Sequence, residues 1–413
     1  MELPVFWLLI TAALVLFMTP GLAFFYGGLV RAKSVVSMMM LSFGSIGLVG
    51  VLWMLYGFNI ATLTGGSDDW ISEVVGNPFS DFGLQDAAKA GDGVTLAGAA
   101  FGATFAIITV ALISGAIADR ARFFPWMLFA GLFATLVYFP VAGWVFSFDD
   151  NGMTGWVGRL GGHFGYAVST IDFAGGTAVH INAGAAGLAL ALVLGQRAGF
   201  SKELNKPHNV PLVLIGAAIL WFGWFGFNAG AATSDGDAAL IVVNTMVCPA
   251  AALLGWIIVE HYKNGKATSI GAASGVVTGL VAITPSCLNL TPMWAIVLGL
   301  FAGAVCAVAI ELKFKLGFDD SLDVVGIHLV AGVIGTLYLG LFATDTGLFT
   351  GGGNLDQLIV QLVPAVAIGV YSFVVAYVLG KVIDTTVGFR IKADEEAAGI
   401  DSVLHGEEGY ALT

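Results

Sequence analysis

The chain has 413 residues, 58% of them apolar and only 11% charged, and its formal net charge is −12. A soluble globular domain carries roughly 25% charged residues to cover its exterior, so water-soluble packing is excluded and most of this surface must meet lipid. Nucleic acid is excluded as a partner too, because that affinity rests on clustered Lys and Arg meeting phosphate.

In chain order, apolar runs long enough to cross ~30 Å of hydrocarbon fall at 4–28, 37–63, 95–118, 123–147, 174–195, 209–231, 238–260, 268–285, 292–312, 325–343 and 357–380. The composition therefore predicts an all-α membrane protein with eleven transmembrane helices. The first run lacks a basic leader and carries Glu2, which favours a retained span over a cleaved signal. The 57 glycines, about twice the ordinary share, suit helices that approach closely in a bilayer. Residues 1–380 form one transmembrane domain, and 381–413 form a short tail.

An odd number of spans puts the termini on opposite sides. With the N-terminus outside, fourteen of the sixteen basic residues, including Arg31, Arg120, Arg197, Lys202, Lys313 and Arg390, fall on the inner side, as the positive-inside rule requires. The outer loops gather acids, among them Asp68, Asp69, Glu73, Asp81, Asp149, Asp150 and Asp235. The expected location is the cell (inner) membrane, with the C-terminus cytoplasmic. The connection over 64–93 is long enough to signal either function or disorder.

Titratable groups at membrane depth are rare because they are costly, and each is a functional candidate. His180 lies in the fifth run, eight residues after Asp172, about 12 Å along a helix. His328 lies in the tenth, five residues after Asp323, and enters from the opposite side. The stretches DFAGGTAVHINAG (172–184) and DVVGIHLVAG (323–332) share an acid, then a His among small residues. They suggest two inverted copies of a five-helix unit plus one C-terminal helix, a plan with its site where the copies meet. Asp172, Gly176, His180 and Gly184 share one helical face, which predicts open space beside the imidazole. Asp172 and Asp323 are read as structural, as helix N-terminal caps. A metal is not expected, since a stable site needs three or four ligands, and no cofactor is implied. Cys248, Cys287 and Cys306 have no metal-ligand spacing and are read as packing residues.

The runs PGLAFFYGGLVR (20–31), ADRARF (118–123), DFAGG with VHIN (172–182) and WFGFNAG (224–230) resemble, in that order, the ammonium transporter (Amt/Mep/Rh) family over nearly the whole chain. The resemblance implies a homotrimer with one pore per subunit, no enzymatic activity, His180 and His328 as a twin-histidine pore lining, Phe105 and Phe227 as an outer gate, and Trp224 at the pore. It also implies an outer cage in which this chain has Phe146 where the family usually has Trp and Ala231 where it has Ser. Phe has a weaker cation–π face, and Ala accepts no hydrogen bond. Trp144 substitutes for Phe146 only if the local backbone shifts. The tail, from Asp384 to Tyr410, resembles a region that docks on the inner face and responds to a P-II signal protein. From the residues alone, the run Asp394, Glu395, Glu396 reads as solvated surface.

The expected activity is ammonium transport: ammonium is recruited outside and deprotonated, and ammonia crosses an apolar lane that excludes permanent ions, with a proton relayed separately. An ammonium sensor with little flux, signalling through the tail, is the alternative.

Overall fold

The computed structural model describes residues 3–64, 70–149, 152–200 and 206–410. Asp68, Asp69, Asp150 and Lys202, assigned above by charge, lie outside the described residues. Among the described residues eleven helices are long and apolar enough to cross a membrane: Val5–Leu29, Ala32–Ala61, Gly93–Ile117, Phe123–Phe146, Gly176–Leu194, Val210–Ala229, Asp235–Asn264, Ser269–Ser286, Pro292–Leu316, Val325–Phe342 and Asp356–Thr386. They are the first to eleventh spans below. The protein is a multi-pass membrane protein.

Their ends follow local chemistry. The seventh span is longer than its apolar run, because Ser234 caps it through the Asp237 N–H and it stops only at Gly265, whose φ is +73°. Glycine there terminates a helix without steric cost. The first span crosses the sixth so tightly that a Cβ on Gly216 would strike the Phe25 backbone, the close approach that small residues allow in lipid.

The segment before the third span is ordered where it is described. Short helices cover Phe82–Leu84 and Gln85–Ala90. The Asp81 carboxylate accepts from the Asp86 and Ala87 N–H groups at 2.8 and 3.1 Å. Glu73 pairs with Arg159, and the Trp144 indole donates to the Val74 carbonyl at 2.7 Å. That bond, together with contacts to Trp156 and Tyr371, commits Trp144 away from the place of Phe146.

The tail folds back on the ends of the second, fourth and fifth spans. Arg122 N–H donates to the Phe389 carbonyl and Ile391 N–H to the Arg120 carbonyl, both at 3.0 Å, and Phe389 is fully buried. Glu396 corrects the reading of a solvated acid run: it is 1% exposed, accepting from the Ala198 N–H at 2.8 Å and pairing with Arg390 at 3.1 Å. Asp401 caps the second span, accepting from the Val36 and Ser37 N–H groups at 3.0 and 2.8 Å. Asp401→Ala should remove about 1 kcal/mol of capping and hasten tryptic cleavage at Lys392. An unchanged digestion rate would show that the tail is held by its other contacts.

Candidate functional site

The fifth and tenth spans break regular α geometry at the same place. Each opens with a π-helical turn, Gly176–Ile181 and Val325–Val330, and each turn carries its histidine near its middle or end. Such turns are rare and concentrate at functional sites. Anchoring differs from the expectation in one respect. Asp172 does cap its helix: its carboxylate accepts from the N–H groups of Gly175, Gly176, Thr177 and Ala178 and from the Thr177 hydroxyl. Asp323 does not cap the tenth span. There Asp320 accepts from the Val324 and Val325 N–H groups at 3.1 and 2.7 Å, while the Asp323 carboxylate accepts from Lys313 Nζ at 2.6 Å. Asp172 and Asp320 each precede their histidine by eight residues, an offset that identifies the matching pair better than proximity does.

Burial pushes the Asp320 carboxyl up to about 6, with Lys313 pulling it down and Asp323 pushing it up. The folded value stands above the unfolded ~3.9. The stability this group contributes is therefore complete below about pH 4 and lost as pH rises through 6. Asp320→Asn should flatten the dependence of melting temperature on pH across that window. The original slope persisting in the variant would assign it to other carboxyls.

The glycine face also departs from expectation. A Cβ on Gly184 would lie 2.5 Å from the Leu329 nitrogen, and one on Gly176 would lie 2.6 Å from Pro285. Gly184 therefore lets the fifth span touch the tenth and Gly176 lets it touch the eighth, and the space these glycines leave is filled by protein. Open space does lie beside the imidazole, away from these glycines, in a cavity of about 10 Å³ lined by His180, His328, Trp224 and Phe227 and by aliphatic side chains such as Leu22, Ile108, Val179 and Val277. That is about the room of one water molecule.

Within it the two imidazoles meet Nδ1 to Nδ1 at 3.3 Å. Ring centroids are 5.4 Å apart, and both residues are buried. When both rings are neutral, one Nδ1 must donate and the other accept. One Nε2 is then an acceptor and the other a donor. His180 Nε2 is buried and has no hydrogen-bond partner among the described residues. Trp224 stacks on His180 at 5.4 Å and 17°, and its indole N–H is fixed by the Thr284 hydroxyl at 2.9 Å. Phe227 packs 5.4 Å from Trp224 and 6.1 Å from His180, and Phe105 stacks face to face on it, 4.1 Å apart and 14° from parallel.

Phe146 meets Phe105 edge-on at 6.1 Å, and Ala231 is exposed just beyond the sixth span. The sequence reading missed Phe101, which packs 4.8 Å from Phe105. Among 30 phenylalanines, only its one-turn spacing from Phe105 signals it.

A bundle of membrane-spanning helices whose first, third, fifth, sixth, eighth and tenth members line a narrow, imidazole-bearing cavity is the architecture of a membrane transport protein. The chain belongs to the Ammonium Transporter Family, whose model matches residues 6–410. It is 50% identical to the ammonium transporter of Mycobacterium tuberculosis (strain ATCC 25618 / H37Rv), over 98% of this chain and 89% of that one. It is 41% identical to the ammonium transporter of Bacillus subtilis (strain 168), over 97% and 96% of the two chains. Among solved structures it is similar to a sensor Amt protein, with a TM-score of 0.87 and 26% identity over 98% of both chains. It is likewise similar to Saccharomyces cerevisiae Mep2, with a TM-score of 0.82 and 31% identity over 95% of this chain and 88% of that one.

Proposed function

We propose that the protein passes ammonium as ammonia plus a separately relayed proton, through a pore whose polar lining is the His180–His328 pair. The observation that carries this is the Nδ1–Nδ1 contact of 3.3 Å inside an otherwise apolar cavity of about 10 Å³. A lumen of that size admits a single small guest, and moving a bare cation into it costs several kcal/mol. Potassium must keep its charge, whereas ammonium sheds a proton and becomes a neutral hydrogen-bonding molecule. Phe105 and Phe227 form the outer gate in this reading, and Trp224 holds the plane of His180. The acceptor and donor Nε2 atoms of the pair complement ammonia and give the proton a parallel path.

The rest of the reading follows the charge pattern and the family. The N-terminus is outside and the tail cytoplasmic, in the cell membrane. The two five-helix halves are inverted copies; the matching π turns and the shared offset of eight from Asp to His support that arrangement. The subunits form a homotrimer, and a P-II signal protein meets the tail face. Uptake of methylammonium by a strain lacking its own carriers, with currents across planar lipid under an ammonium gradient, tests the proposal. Flux with current supports it, whereas flux without current leaves a neutral ammonia channel.

The altered cage favours one rival, a sensor of little flux, for which binding without uptake is the distinguishing result. Phe146→Trp with Ala231→Ser should restore a stronger cation–π face and a hydroxyl acceptor, together worth about 1.4 kcal/mol. The expected effect is a roughly tenfold lower KM for methylammonium. An unchanged KM would place outer binding away from Phe146 and Ala231.

A further inference from the structure

A second cavity, of about 210 Å³, lies at the end of the helices where the tail packs: Asp119 lines it, and the Ile391 N–H of the tail donates to the carbonyl of the adjoining Arg120. It continues the line of the first. The first span contributes Met18, Leu22 and Phe25 to the inner cavity and then Leu29 to this one, the eighth contributes Val277 and then Ile270, and Asp323 stands five residues before His328. In its wall the Lys313 ammonium group donates to the Asp320 carbonyl at 2.8 Å and to the Asp323 carboxylate at 2.6 Å, and it lies 5.4 Å from the Phe314 ring centre. Lys313 is 8% exposed. Asp323 has a φ of +63°, a left-handed conformation that Asp adopts more readily than most residues. The cavity's other carboxylates are engaged elsewhere, Asp119 by Arg31 and Arg197 and Glu311 by Lys263.

A carboxylate, a carbonyl oxygen and an aromatic ring around one –NH3⁺ group make a cation site. The group it holds differs from free ammonium only in having one N–C bond in place of an N–H, and both donate to the same oxygens. We infer that the Asp323 carboxylate and the Asp320 carbonyl form an ammonium-ion site at the tail-side mouth, and that Lys313 fills it with a tethered ammonium so that the transported ion does not lodge there. The inference rests on the transport reading above. Its chemistry assigns Lys313 a role in product release: a free ion bound about 8 Å from His328 along the helix would occupy the exit and slow the next passage.

The full-length chain carrying Lys313→Met, which keeps an apolar stem and removes the charge, tests this in liposomes by methylammonium influx with and without internal ammonium. The wild type should be weakly inhibited, and the variant should need about a tenth as much internal ammonium for half-inhibition, with that change in affinity set by one exposed carboxylate. Lys313→Arg should behave as wild type, and Lys313→Met with Asp323→Asn should lose the added sensitivity. Influx that falls equally with and without internal ammonium would make Lys313 structural only and overturn the inference.

A measurement independent of flux accompanies it. Ammonium chloride, compared with sodium chloride, should raise the melting temperature of detergent-solubilised Lys313→Met more than that of the wild type or the double variant. Equal shifts overturn the inference. A wild type that takes up no methylammonium sinks the transport reading alone, because the melting comparison still decides whether the site binds ammonium.

Discussion

His180→Ala should lower methylammonium uptake by about a hundredfold or open the pore to potassium. The reasoning is local. Removing the ring deletes the partner of His328 Nδ1 at 3.3 Å and the group stacked on Trp224, and it leaves a neutral guest without its hydrogen bonds. Leaving such groups unsatisfied in an apolar site costs about 1–3 kcal/mol each, and 2.7 kcal/mol is about a hundredfold in rate. If water fills the enlarged lumen instead, the desolvation barrier to ions falls and selectivity is lost while flux persists. Uptake and potassium currents measured on the same preparation separate these outcomes. Normal values of both would remove the histidine pair from the mechanism.

Asp172→Ala should have the largest effect on folding. This buried carboxylate accepts from four backbone N–H groups and a hydroxyl at the start of the fifth span. Without it those donors lose their acceptor in a place that water reaches poorly, at a cost of several kcal/mol, a large part of the 5–15 kcal/mol by which proteins are stable. Little monodisperse protein is expected after extraction. Asp172→Asn, which keeps one carbonyl acceptor, should recover part of it. Size-exclusion profiles after graded heating read the difference, and an Ala variant as heat-resistant as the wild type would contradict the anchoring role.

The spans were legible because a bilayer demands long apolar stretches, and a run such as 357–380 admits few other readings. His180 and His328 stood out for the same reason, as titratable groups where few are tolerated. What stayed hidden depended on partners distant in the chain. Nothing local says that the Gly184 face meets Leu329, so the space beside the imidazole was attributed to glycines that pack against protein, whereas it lies on the side of Trp224 and Phe227. Nor does a run of three acids reveal that Glu396 turns inward to Arg390 and Ala198. Asp320 was within reach of the sequence, because an acid stands eight residues before each histidine. The nearer Asp323 drew attention, and its real partner, Lys313, lies ten residues away with no pattern to mark it.

The two π turns bear on which changes in length the chain can tolerate. An α-helix advances about 100° per residue, so deleting one residue between Asp172 and His180, or between Asp320 and His328, would swing the imidazole about a quarter of a revolution relative to its carboxylate anchor. Side-chain replacements away from the close-packed glycines and the anchoring carboxylates can be absorbed locally, but a single-codon deletion before either histidine cannot, unless the count before the other histidine changes to match and the rings find a new mutual orientation. Natural or engineered relatives that vary at other positions around both histidines should therefore keep this count of residues unchanged.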